Sequence, residues 1–469
     1  MVLSRHRKGD SHMAYSVTQR VISQDEQLYE YFNDMSRKSK LLYNAALFRV
    51  RNIFTGYDKQ CRTANETEVF NEIELTMQAY PHMNVRKVIS YNHLEKVMRV
   101  THNPDFFAGL PIQTAQATIK QAVTDFRNWL AALREYKKHP EKFLGKPKMP
   151  HYKKAKFITV IVTNQDAVLY QSKSGVSLKL PLIKQRIHFS NISENSILKE
   201  VRVKPYYGRF LLCLTFEEPD IVSNSSMPNT CAIDFGTHNF AAIVCDDNSS
   251  AIYKGGAVLA DIQWFNKKKA EFVSIITRGH NKIHASSEKL TNLSFHHANF
   301  IKDQCHKISR SIINFCIEHQ AGTLVLGVNP LWKQNSGMNK INNQNFVSMP
   351  IAFLKTMITY KALNAGIRVI EQEESYTSKA DLVSGDYIPT YGIDDERTSF
   401  SGVRFKRGLY RCSNGMIVNA DCHAAANIMR KALPDIWKGS EDFSFLGSPK
   451  VYGFHKLNPK CISVRGIEA

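Results

Sequence analysis

The sequence predicts an α+β protein of several domains, because helical and strand patterns are separated along the first half of the chain and alternate along the second. The chain has 469 residues, of which 43% are hydrophobic, so it exceeds the usual size of one domain and can bury more than one core. Long helical segments come early, a series of short β-rich segments follows, and strands and helices then alternate.

A strand and two long helices are predicted in the first 140 residues. The β-branched residues of 14–22 predict the strand, and a helix follows over 23–54, where Ser23 and Glu26 have the spacing of a capping box. The second helix is predicted over 111–138, because apolar residues recur there at steps of four, three, four and three. These residues are Ile119, Val123, Phe126, Leu130 and Leu133.

Short β-rich runs between residues 157 and 218 indicate a small barrel or a curled sheet. If the strand at 14–22 joins that sheet, the helical region becomes an insertion into the barrel. The Pro, Ser and Asn content of 219–229 predicts a linker.

The charge of the chain favours a polyanionic partner. There are 62 Lys and Arg against 42 Asp and Glu, a formal net charge of +20, and such a field favours nucleic acid through counterion release. A basic surface without a partner is the alternative. No apolar run reaches the roughly 20 residues of a membrane helix, and the start of the chain lacks the apolar segment of a secretory signal. We therefore expect an intracellular protein with no membrane partner.

A lysine-rich strip covers residues 137–156. It holds eight lysines, and its prolines and glycine exclude a regular helix. An extended lysine strip with aromatic residues between the lysines can follow a sugar-phosphate backbone, whereas a solvated linker is the alternative. The candidate contacts are Lys146, Lys148, Tyr152, Lys153 and Lys154.

The second half predicts an RNase H-like α/β sheet from the order of its elements. The order is three strands joined by turns, a helical region, a strand, a helix, a strand and a last helix. The first strand ends at Asp234, and the later elements are predicted at 262–319, 322–328, 350–364, 367–370 and 421–433.

Acidic residues stand at the ends of these elements. Asp234 ends the first strand, three glutamates follow the strand at 367–370, and Asp421 opens the last helix. Three carboxylates that meet in space suit Mg²⁺, which prefers hard oxygen ligands and supports phosphodiester hydrolysis. Taken singly, Asp234 could cap a turn and Asp421 could be an N-cap.

Seven segments carry a family resemblance. They are "AIDFGTHNFAAIV", "EESYTSKADLVSGDYIP", "FSGVRFKRGLYR", "NADCHAAANIMRK", "LGVNPLWKQ", "INNQNFVSMP" and "FLGKPKMPHYKK". They resemble the motifs of the TnpB family, which are transposon-encoded, RNA-guided nucleases with a RuvC-type domain, ancestral to type V CRISPR effectors. The resemblance covers residues 112–431 and, more weakly, 14–54.

The resemblance implies a wedge-like β-barrel with a helical recognition insertion, followed by a RuvC-like domain that holds a small hairpin element. The expected parts are a disordered start at 1–13, the barrel at 14–24 and 156–218, the helical recognition domain at 25–155 and a linker at 219–229. They continue with the RuvC-like nuclease domain at 230–375 and 416–433, a target-nucleic-acid-binding element at 376–415 and a tail at 434–469.

The resemblance also implies a cofactor and partners. Asp234 matches the first RuvC acid and Asp421 the third, with Mg²⁺ or Mn²⁺ as the cofactor. The partners would be a guide RNA from the transposon end and a double-stranded DNA target with a short motif, and guide pairing would supply the sequence specificity. Further candidate contacts are Gln113 and Gln116 as motif readers, Trp332, which could stack on a base or pack in the core, and Lys333.

The second acid departs from the common pattern. In most of the family it ends the strand that here reads "LVLGV", where Gly327 has no side chain to bind metal. A subgroup looks as if it moved this glutamate to the segment before "TSK", so Glu374 is the expected ligand and Glu373 the fallback. Neighbours in an extended segment face opposite ways, and Glu371 shares the face of Glu373.

The zinc ribbon is the second departure. Many relatives carry two C-x-x-C pairs, whose positions here are Asp381, Ser384, Cys412 and Gly415. None of the nine cysteines has C-x-x-C spacing, so we expect buried reduced thiols and no zinc. Basic residues remain for nucleic-acid contacts, namely Lys379, Arg404, Lys406, Arg407 and Arg411, and His423 replaces an asparagine common in the family.

The expected function is therefore an RNA-guided, metal-dependent DNA endonuclease of the prokaryotic cytoplasm, associated with the nucleoid. The alternative is a nuclease-inactive, RNA-guided DNA-binding repressor, because some relatives have lost the acids. A DDE-type transposase agrees less well with the spacing and flanking motifs.

Overall fold

The computed structural model describes residues 14–457 except 173–174, 191, 193–195, 219–226, 279–286, 330–347, 391–392, 394–398 and 441. The chain divides into two compact units, Met1–Asp220 and Ile221–Ala469. The division falls within the segment 219–229 that the sequence predicts as a linker, and the finer domain boundaries given above stay predictions.

Four helices form the helical part of the first unit. They are α1 (Gln27–Gly56), α2 (Ala64–Ala79), α3 (Tyr91–Val100) and α4 (Ile112–Lys138). The apolar face predicted for α4 packs with α1 in one core, where Ile119, Val123 and Phe126 are buried. Periodicity therefore places this helix correctly, because its buried face is continuous along the chain.

The start of α1 differs from the prediction. The helix begins at Gln27, not at residue 23, and its N-cap is Glu26. Only half of the predicted capping box forms, because the Glu26 carboxylate accepts from the backbone N–H of Ser23 at 2.8 Å while no side chain caps the helix. A complete capping box occurs instead at α2, between Thr63 and Glu66.

Two antiparallel sheets complete the first unit. One has the order β1 (Ala14–Ile22), β7 (Arg209–Glu218), β6 (Ile197–Tyr206) and β2 (Val160–Thr163), and the other runs from β3 (Val168–Ser172) through β4 (Gly175–Lys179) to β5 (Arg186–Phe189). Both sheets contribute to one core, which includes Val162, Leu178, Ile187, Val201 and Phe210. Their closure into a barrel stays a prediction.

A six-stranded sheet forms the centre of the second unit. Its strands are β8 (Asn229–Asp234), β9 (Asn239–Cys245), β10 (Ser249–Lys254), β11 (Ala321–Val328), β12 (Arg368–Glu373) and β16 (Lys450–Tyr452), in the spatial order β12-β11-β8-β9-β10-β16. The pairs β8–β9 and β9–β10 are antiparallel, whereas β11 is parallel to both β8 and β12. The predicted strands thus occur in the predicted order, and β16 adds an edge strand from the segment predicted as a tail.

Helices cover both faces of this sheet. They are α5 (Gly256–Thr277), α6 (Glu288–Glu318), α7 (Ile351–Asn364) and α8 (Ala420–Ala432). Ile233, Ile243 and Leu324 face one core with α6 and α7, while alternate residues such as Ala232 and Val325 face a second core with α8. The structure begins α5 at Gly256, six residues before the predicted start, because Val258, Leu259 and Ile262 extend its buried face.

A small three-stranded sheet precedes α8. It consists of β13 (Val403–Lys406), β14 (Leu409–Arg411) and β15 (Ile417–Asn419). The predicted hairpin over 408–421 is present, and Gly415 has a φ of +85°, which a turn at Asn414–Gly415 requires. Eight described cysteines are free thiols, seven of them buried, and Cys61 is exposed. Among the described residues no helix is long and apolar enough to cross a membrane.

Candidate active site

Three carboxylates converge at one edge of the six-stranded sheet. Asp234 is the last residue of β8, Glu374 directly follows β12, and Asp421 lies in the first turn of α8. Because β8, β11 and β12 are parallel, their carboxyl ends share this edge. Burial raises the pKa of Asp234 well above its ordinary value, and the negative charges of Glu374 and Asp421 raise it further.

Gly327 provides the space that the Glu374 side chain occupies. A Cβ atom at Gly327 would lie 2.8 Å from Oε2 of Glu374, 2.7 Å from Cδ1 of Ile428 and 3.1 Å from the carbonyl oxygen of Ile233. The Glu374 carboxylate therefore lies over position 327 of β11, where the family that the sequence resembles usually carries its second acid. This position is next to Ile233, the residue before Asp234. A side chain at 327 and the Glu374 carboxylate exclude each other.

The Oε2 atom of Glu374 is buried and receives no hydrogen bond from any described residue. Burial raises the pKa of Glu374, and the ammonium group of Lys355 partly opposes this effect. An unsatisfied buried carboxylate oxygen is costly unless a cation or a donor reaches it. Asp234 and Asp421 add further carboxylate oxygens, the hard donors that Mg²⁺ and Mn²⁺ prefer. Among the described residues the ligand atoms of these three acids do not all lie within 4.8 Å of one another, so a bound cation would have to draw them closer.

The other two glutamates of the cluster have different surroundings. Oε2 of Glu373 lies 2.6 Å from Nζ of Lys431, and its Oε1 accepts from the backbone N–H of Ser375 at 2.7 Å. Glu371 is exposed within β12, opposite Leu326 of β11. The structure thus brings Glu374 to the other two acids and pairs Glu373 with a lysine.

Polar residues that the sequence did not single out support the acids. Nδ2 of Asn239 donates to Oδ2 of Asp421 at 2.5 Å, and Nζ of Lys254 donates to Oδ1 of Asn239 at 2.8 Å. Nζ of Lys355 donates to the carbonyl of Gly327 and lies 4.8 Å from the centroid of the Phe235 ring.

The charge of Lys355 acts within the acid cluster. Burial lowers the pKa of Lys355, whereas Glu374, Glu371 and Asp234 raise it. The sequence did not indicate that Lys355 lies near the acids, because its contact with Gly327 depends on how α7 packs beside β11.

The lysine-rich strip is held against the helical part of the first unit. Its backbone carbonyls accept from Nε1 of Trp129 at 3.1 Å, from Nδ2 of Asn44 at 3.1 Å and from Arg51 at 3.4 Å. The guanidinium of Arg51 also lies 5.0 Å from the centroid of the Tyr152 ring. The strip from Phe143 onwards is therefore an irregular segment anchored to the helices. Its first part departs from the prediction, because Lys137 and Lys138 end α4 and Pro140–Lys142 form a short 3₁₀ helix.

The lysines of the strip differ in their surroundings. Lys146, Lys148 and Lys154 are exposed. Nζ of Lys153 lies 4.8 Å from the centroid of the Tyr43 ring and 3.8 Å from Asp125, so that ammonium has partners within the unit.

The two glutamines predicted as motif readers line a cavity of the first unit. Gln113 and Gln116 lie in the first two turns of α4, beside a cavity of about 350 Å³ that also has Lys120, Gln121 and Arg202 in its wall. Nε2 of Gln116 lies 3.5 Å from Glu95. Amide and cationic side chains in such a concave site can form hydrogen bonds with the edges of bases.

The remaining candidates lie near the hairpin element or outside the described residues. Arg404 on β13 is 3.6 Å from Oδ1 of Asp421, Arg407 is exposed between β13 and β14, and Nζ of Lys379 lies 5.5 Å from the centroid of the Tyr376 ring. Trp332 and Lys333 lie outside the described residues.

A buried polar cluster occupies part of the expected zinc-ribbon position. Asp381, Cys412 and His423 each place one possible ligand atom within 4.8 Å of the others. The family resemblance indicated Asp381 and Cys412, but it did not indicate that His423 of α8 lies beside them, because this contact depends on the fold. Ser384 and Gly415, the other two expected positions, are not part of this cluster.

The facing atoms of this cluster are already hydrogen-bonded. The Asp381 carboxylate accepts from the backbone N–H groups of Ser413 at 2.8 Å and Val383 at 3.2 Å, and Nε2 of His423 accepts from that of Leu382 at 3.2 Å. Burial raises the pKa of Cys412 to about 12, so the thiol is neutral. Two possible ligands that already accept hydrogen bonds and one neutral thiol are a poor match for a tetrahedral zinc site. The absence of zinc stays a prediction.

Two family models and several known proteins are similar to parts of this chain. Residues 214–330 match the OrfB_IS605 family model, described as "Probable transposase", and residues 352–428 match the model "Cas12f1-like, TNB domain". A CRISPR-associated endodeoxyribonuclease Cas12f2 of Micrarchaeota archaeon (strain CG1_02_47_40) is 25% identical over 254 residues, which are 52% of this chain and 44% of the relative. The TnpB-like protein ORF457 of Acidianus two-tailed virus is 27% identical over 209 residues, 43% of this chain and 41% of that protein.

The chain thus spans less than half the length of these curated relatives. A solved structure of a Cas12f1-sgRNA-target DNA complex resembles this chain with a TM-score of 0.50 and 15% identity, covering 86% of this chain and 82% of that one. At this identity the likeness concerns the multidomain α+β fold alone. The two family models and these relatives support a TnpB/Cas12f-type family for the chain.

Proposed function

We propose that the chain is an RNA-guided DNA endonuclease that hydrolyses phosphodiester bonds at a RuvC-type site with Mg²⁺ or Mn²⁺. The observation that carries this proposal is the Glu374 carboxylate over Gly327, beside Asp234 and Asp421. It supplies a second acid where position 327 on β11 has none, so three carboxylates lie at one edge of the sheet, and such carboxylates can support metal-dependent hydrolysis. The similarity to Cas12f2, a CRISPR-associated endodeoxyribonuclease, supports the same reaction class.

The chain's own residues prepare this site. Asp234, Glu374 and Asp421 would hold the cation, which when bound supplies activation of water and stabilises the leaving oxygen. Asn239 fixes the orientation of the Asp421 carboxylate through its 2.5 Å hydrogen bond. Lys355 offsets part of the negative charge of Glu374 and Asp234, which lowers the repulsion among the acids.

The nucleic-acid partners follow from charge and from the anchored strip. A guide RNA from the transposon end and a double-stranded DNA target would contact Lys146, Lys148, Tyr152, Lys153 and Lys154, with Trp332, Lys333, Lys379, Arg404 and Arg407 as further contacts. Gln113 and Gln116 would read the short DNA motif, because glutamine can pair with adenine in the major groove. The net charge of +20 supports binding to a polyanion, in a chain that acts on nucleoid DNA in the cytoplasm.

Cleavage of a plasmid library tests the nuclease. The chain is purified with its co-expressed RNA and mixed with guide-matched plasmids that carry a randomised flank, with Mg²⁺. We expect cleavage by the parent and a rate at least about 100-fold lower for Asp234→Ala, equivalent to about 2.7 kcal/mol of activation free energy. If Asp234→Ala cuts as fast as the parent, the assignment fails. A parent that binds the guided target without nicking it would support the repressor.

The same assay separates the two neighbouring glutamates. Glu374→Gln removes a charge that acts on Asp234 and should abolish cleavage, whereas Glu373→Gln only weakens the pair with Lys431 and should cut at a reduced rate. A loss confined to Glu373→Gln contradicts the choice of Glu374 as the ligand.

A further inference from the structure

We infer that Lys431 and Asn427 of α8 are positioning residues for Glu374. The inference rests on the proposed function, because it explains how a second acid outside a strand keeps its place. An acid within β11 would be fixed on both sides by hydrogen bonds of the sheet. The N–H of Glu374 donates one hydrogen bond to the neighbouring strand, to the carbonyl of Val328 at 3.2 Å, and the chain turns directly afterwards, with Tyr376 at a φ of +62°.

Lys431 holds the residues on both sides of Glu374. Its ammonium group lies 2.6 Å from Oε2 of Glu373 and 3.2 Å from the carbonyl oxygen of Ser375. The same group contacts the carbonyl of Pro389 at 2.9 Å, and its side chain is 8% exposed. A buried ammonium with three oxygen partners is a strong, directional anchor, so Glu373 serves here as an anchor for the backbone rather than as a ligand.

Asn427 holds the turn that follows. Its buried Nδ2 donates to the carbonyl of Thr377 at 2.9 Å and to that of Ala380 at 2.7 Å. Oγ1 of Thr377 in turn donates to the carbonyl of Glu374 at 2.9 Å. A continuous chain of hydrogen bonds therefore runs from the helix to the backbone of the acid.

The helix that carries the third acid thereby also positions the second. Asn427 and Lys431 are four residues apart, so they share one face of α8, and Asp421 lies in the first turn of the same helix. One rigid element thus fixes the position of Glu374 relative to Asp421. Groups that orient metal ligands without touching the metal typically change metal affinity or activity by roughly 10- to 100-fold.

Mn²⁺ binding, measured by electron paramagnetic resonance on the purified chain, tests this role without requiring cleavage. Lys431→Met should weaken Mn²⁺ binding roughly 10-fold or more. Lys431→Arg, which keeps the charge, should restore it to within about 5-fold of the parent. Because Lys431→Met leaves Glu373 partly buried without its partner, the double variant Lys431→Met/Glu373→Gln provides a second test that removes both charges. Lys307→Met, an exposed lysine paired with Asp303 on α6, is the matched control and should leave binding unchanged.

Thermal unfolding and cleavage complete the design. Weakened Mn²⁺ binding at an unchanged unfolding temperature, with partial recovery of cleavage at high Mn²⁺, supports positioning. Mn²⁺ binding equal to the parent in both Lys431→Met and the double variant overturns it, as does a loss that only parallels unfolding. A parent that binds Mn²⁺ but cuts no guided target overturns the proposed function alone, whereas a parent that binds no Mn²⁺ overturns both.

Discussion

Gly327 has a physical role in this chain that differs from simple loss of an acid. Its missing side chain leaves the space into which Glu374 extends, so the glycine and the relocated glutamate depend on each other. Because position 327 on β11 carries no side chain, the carboxylate of Glu374, which follows β12, can occupy this space. Gly327 therefore does not by itself argue for an inactive site.

Gly327→Ala should lower cleavage much more than it lowers stability. The new Cβ would meet the ends of two flexible side chains, Oε2 of Glu374 and Cδ1 of Ile428, which can move away. It would also lie 3.1 Å from the backbone carbonyl oxygen of Ile233, which would have to shift slightly. The displaced Glu374 carboxylate no longer faces Asp234, so we expect a cleavage rate about 10- to 100-fold lower. Cleavage and thermal unfolding of the same preparation measure both effects.

Gly256→Ala is the matched control for this substitution, because a Cβ there would meet no atom within 4 Å. It should leave cleavage unchanged. Parent-like cleavage by Gly327→Ala would show that the Glu374 carboxylate does not need its present position.

At the scale of elements, the hairpin sheet is tied to α8 by the cluster of Asp381, Cys412 and His423. The ring of His423 is fully buried and stacked on Tyr410 with 3.9 Å between the ring centroids. Burial lowers the pKa of His423 to about 4, and Arg430 lowers it further, while Asp381 and Asp386 oppose this. The neutral ring accepts from the N–H of Leu382, so protonation would break this bond.

The hairpin element should therefore become less stable in acid. The folded chain binds this proton less readily than the unfolded chain, whose histidine has its ordinary pKa. The stabilisation is thus fully present above that ordinary value and is lost as the pH falls towards about 4. Thermal unfolding between pH 4 and 7.5 should show a steeper loss in the parent than in His423→Asn. Equal slopes in both would contradict the role of His423.

The same preparation tests the expected absence of zinc. Elemental analysis should find much less than one zinc per chain, and a chelator should leave the unfolding temperature unchanged, because the facing atoms already have hydrogen bonds. One equivalent of zinc that is lost on His423→Asn would make the cluster a metal site instead.

Elements with continuous patterns were predictable, whereas contacts made by single residues were not. The apolar runs of β8 and β11 identify strands buried on both faces, and the repeat of α4 identifies its core face. The strand β16 has three residues and depends on pairing with β10 and on the stacking of Tyr452 on Tyr253, neither of which its own sequence encodes.

Asp234, the glutamate cluster and Asp421 could be located from the sequence because they end, follow or begin predicted elements, whereas the choice of Glu374 within the cluster came from the family resemblance. The supporting contacts of these acids could not be predicted. Lys355 contacts the Gly327 carbonyl across 28 residues of chain, Lys431 contacts Glu373 across 58 and Asn239 contacts Asp421 across 182. Contacts at such separations follow from the packing of helices on the sheet rather than from any local spacing.

The anchored strip predicts a specific change in the salt dependence of RNA binding. Replacing Lys146, Lys148 and Lys154 by Gln removes three exposed charges without touching the hydrogen bonds that hold the strip. The slope of log affinity against log salt concentration should decrease by about 2, at roughly 0.7 for each phosphate contact. A matched set of three exposed lysines already paired with acids, namely Lys87, Lys268 and Lys307, should change it little. Equal changes in both sets would mean that only net charge matters.

At the scale of the whole molecule, the chain separates its basic strip from its acidic site. The strip lies in Met1–Asp220 and the three carboxylates lie in Ile221–Ala469, and each unit has its own hydrophobic cores. Substitutions in the second unit's acid cluster can therefore remove cleavage without disturbing the surface proposed to bind RNA. The chain as a whole has a net charge of +20, which attracts nucleic acid. At the acid cluster, however, the local negative charge opposes the approach of a phosphate until a cation neutralises it.

Asp234→Ala should consequently bind a guided target at least as tightly as the parent when no divalent cation is present. The substitution adds no negative charge at a site where burial already disfavours the ionised form of Asp234, and the contacts of the first unit are unchanged. A gel-shift titration in a chelator measures the affinity of both proteins, with a mismatched guide as the control for specificity. With the matched guide we expect the affinities of Asp234→Ala and the parent to lie within about 2-fold of each other, a difference of about 0.4 kcal/mol. A 10-fold loss of matched-guide affinity at an unchanged unfolding temperature would show that the acid site itself holds the target. Retained binding with no cleavage would show that a member of this fold can become a guided DNA-binding protein by the loss of one carboxylate, which places the nuclease and the repressor one substitution apart.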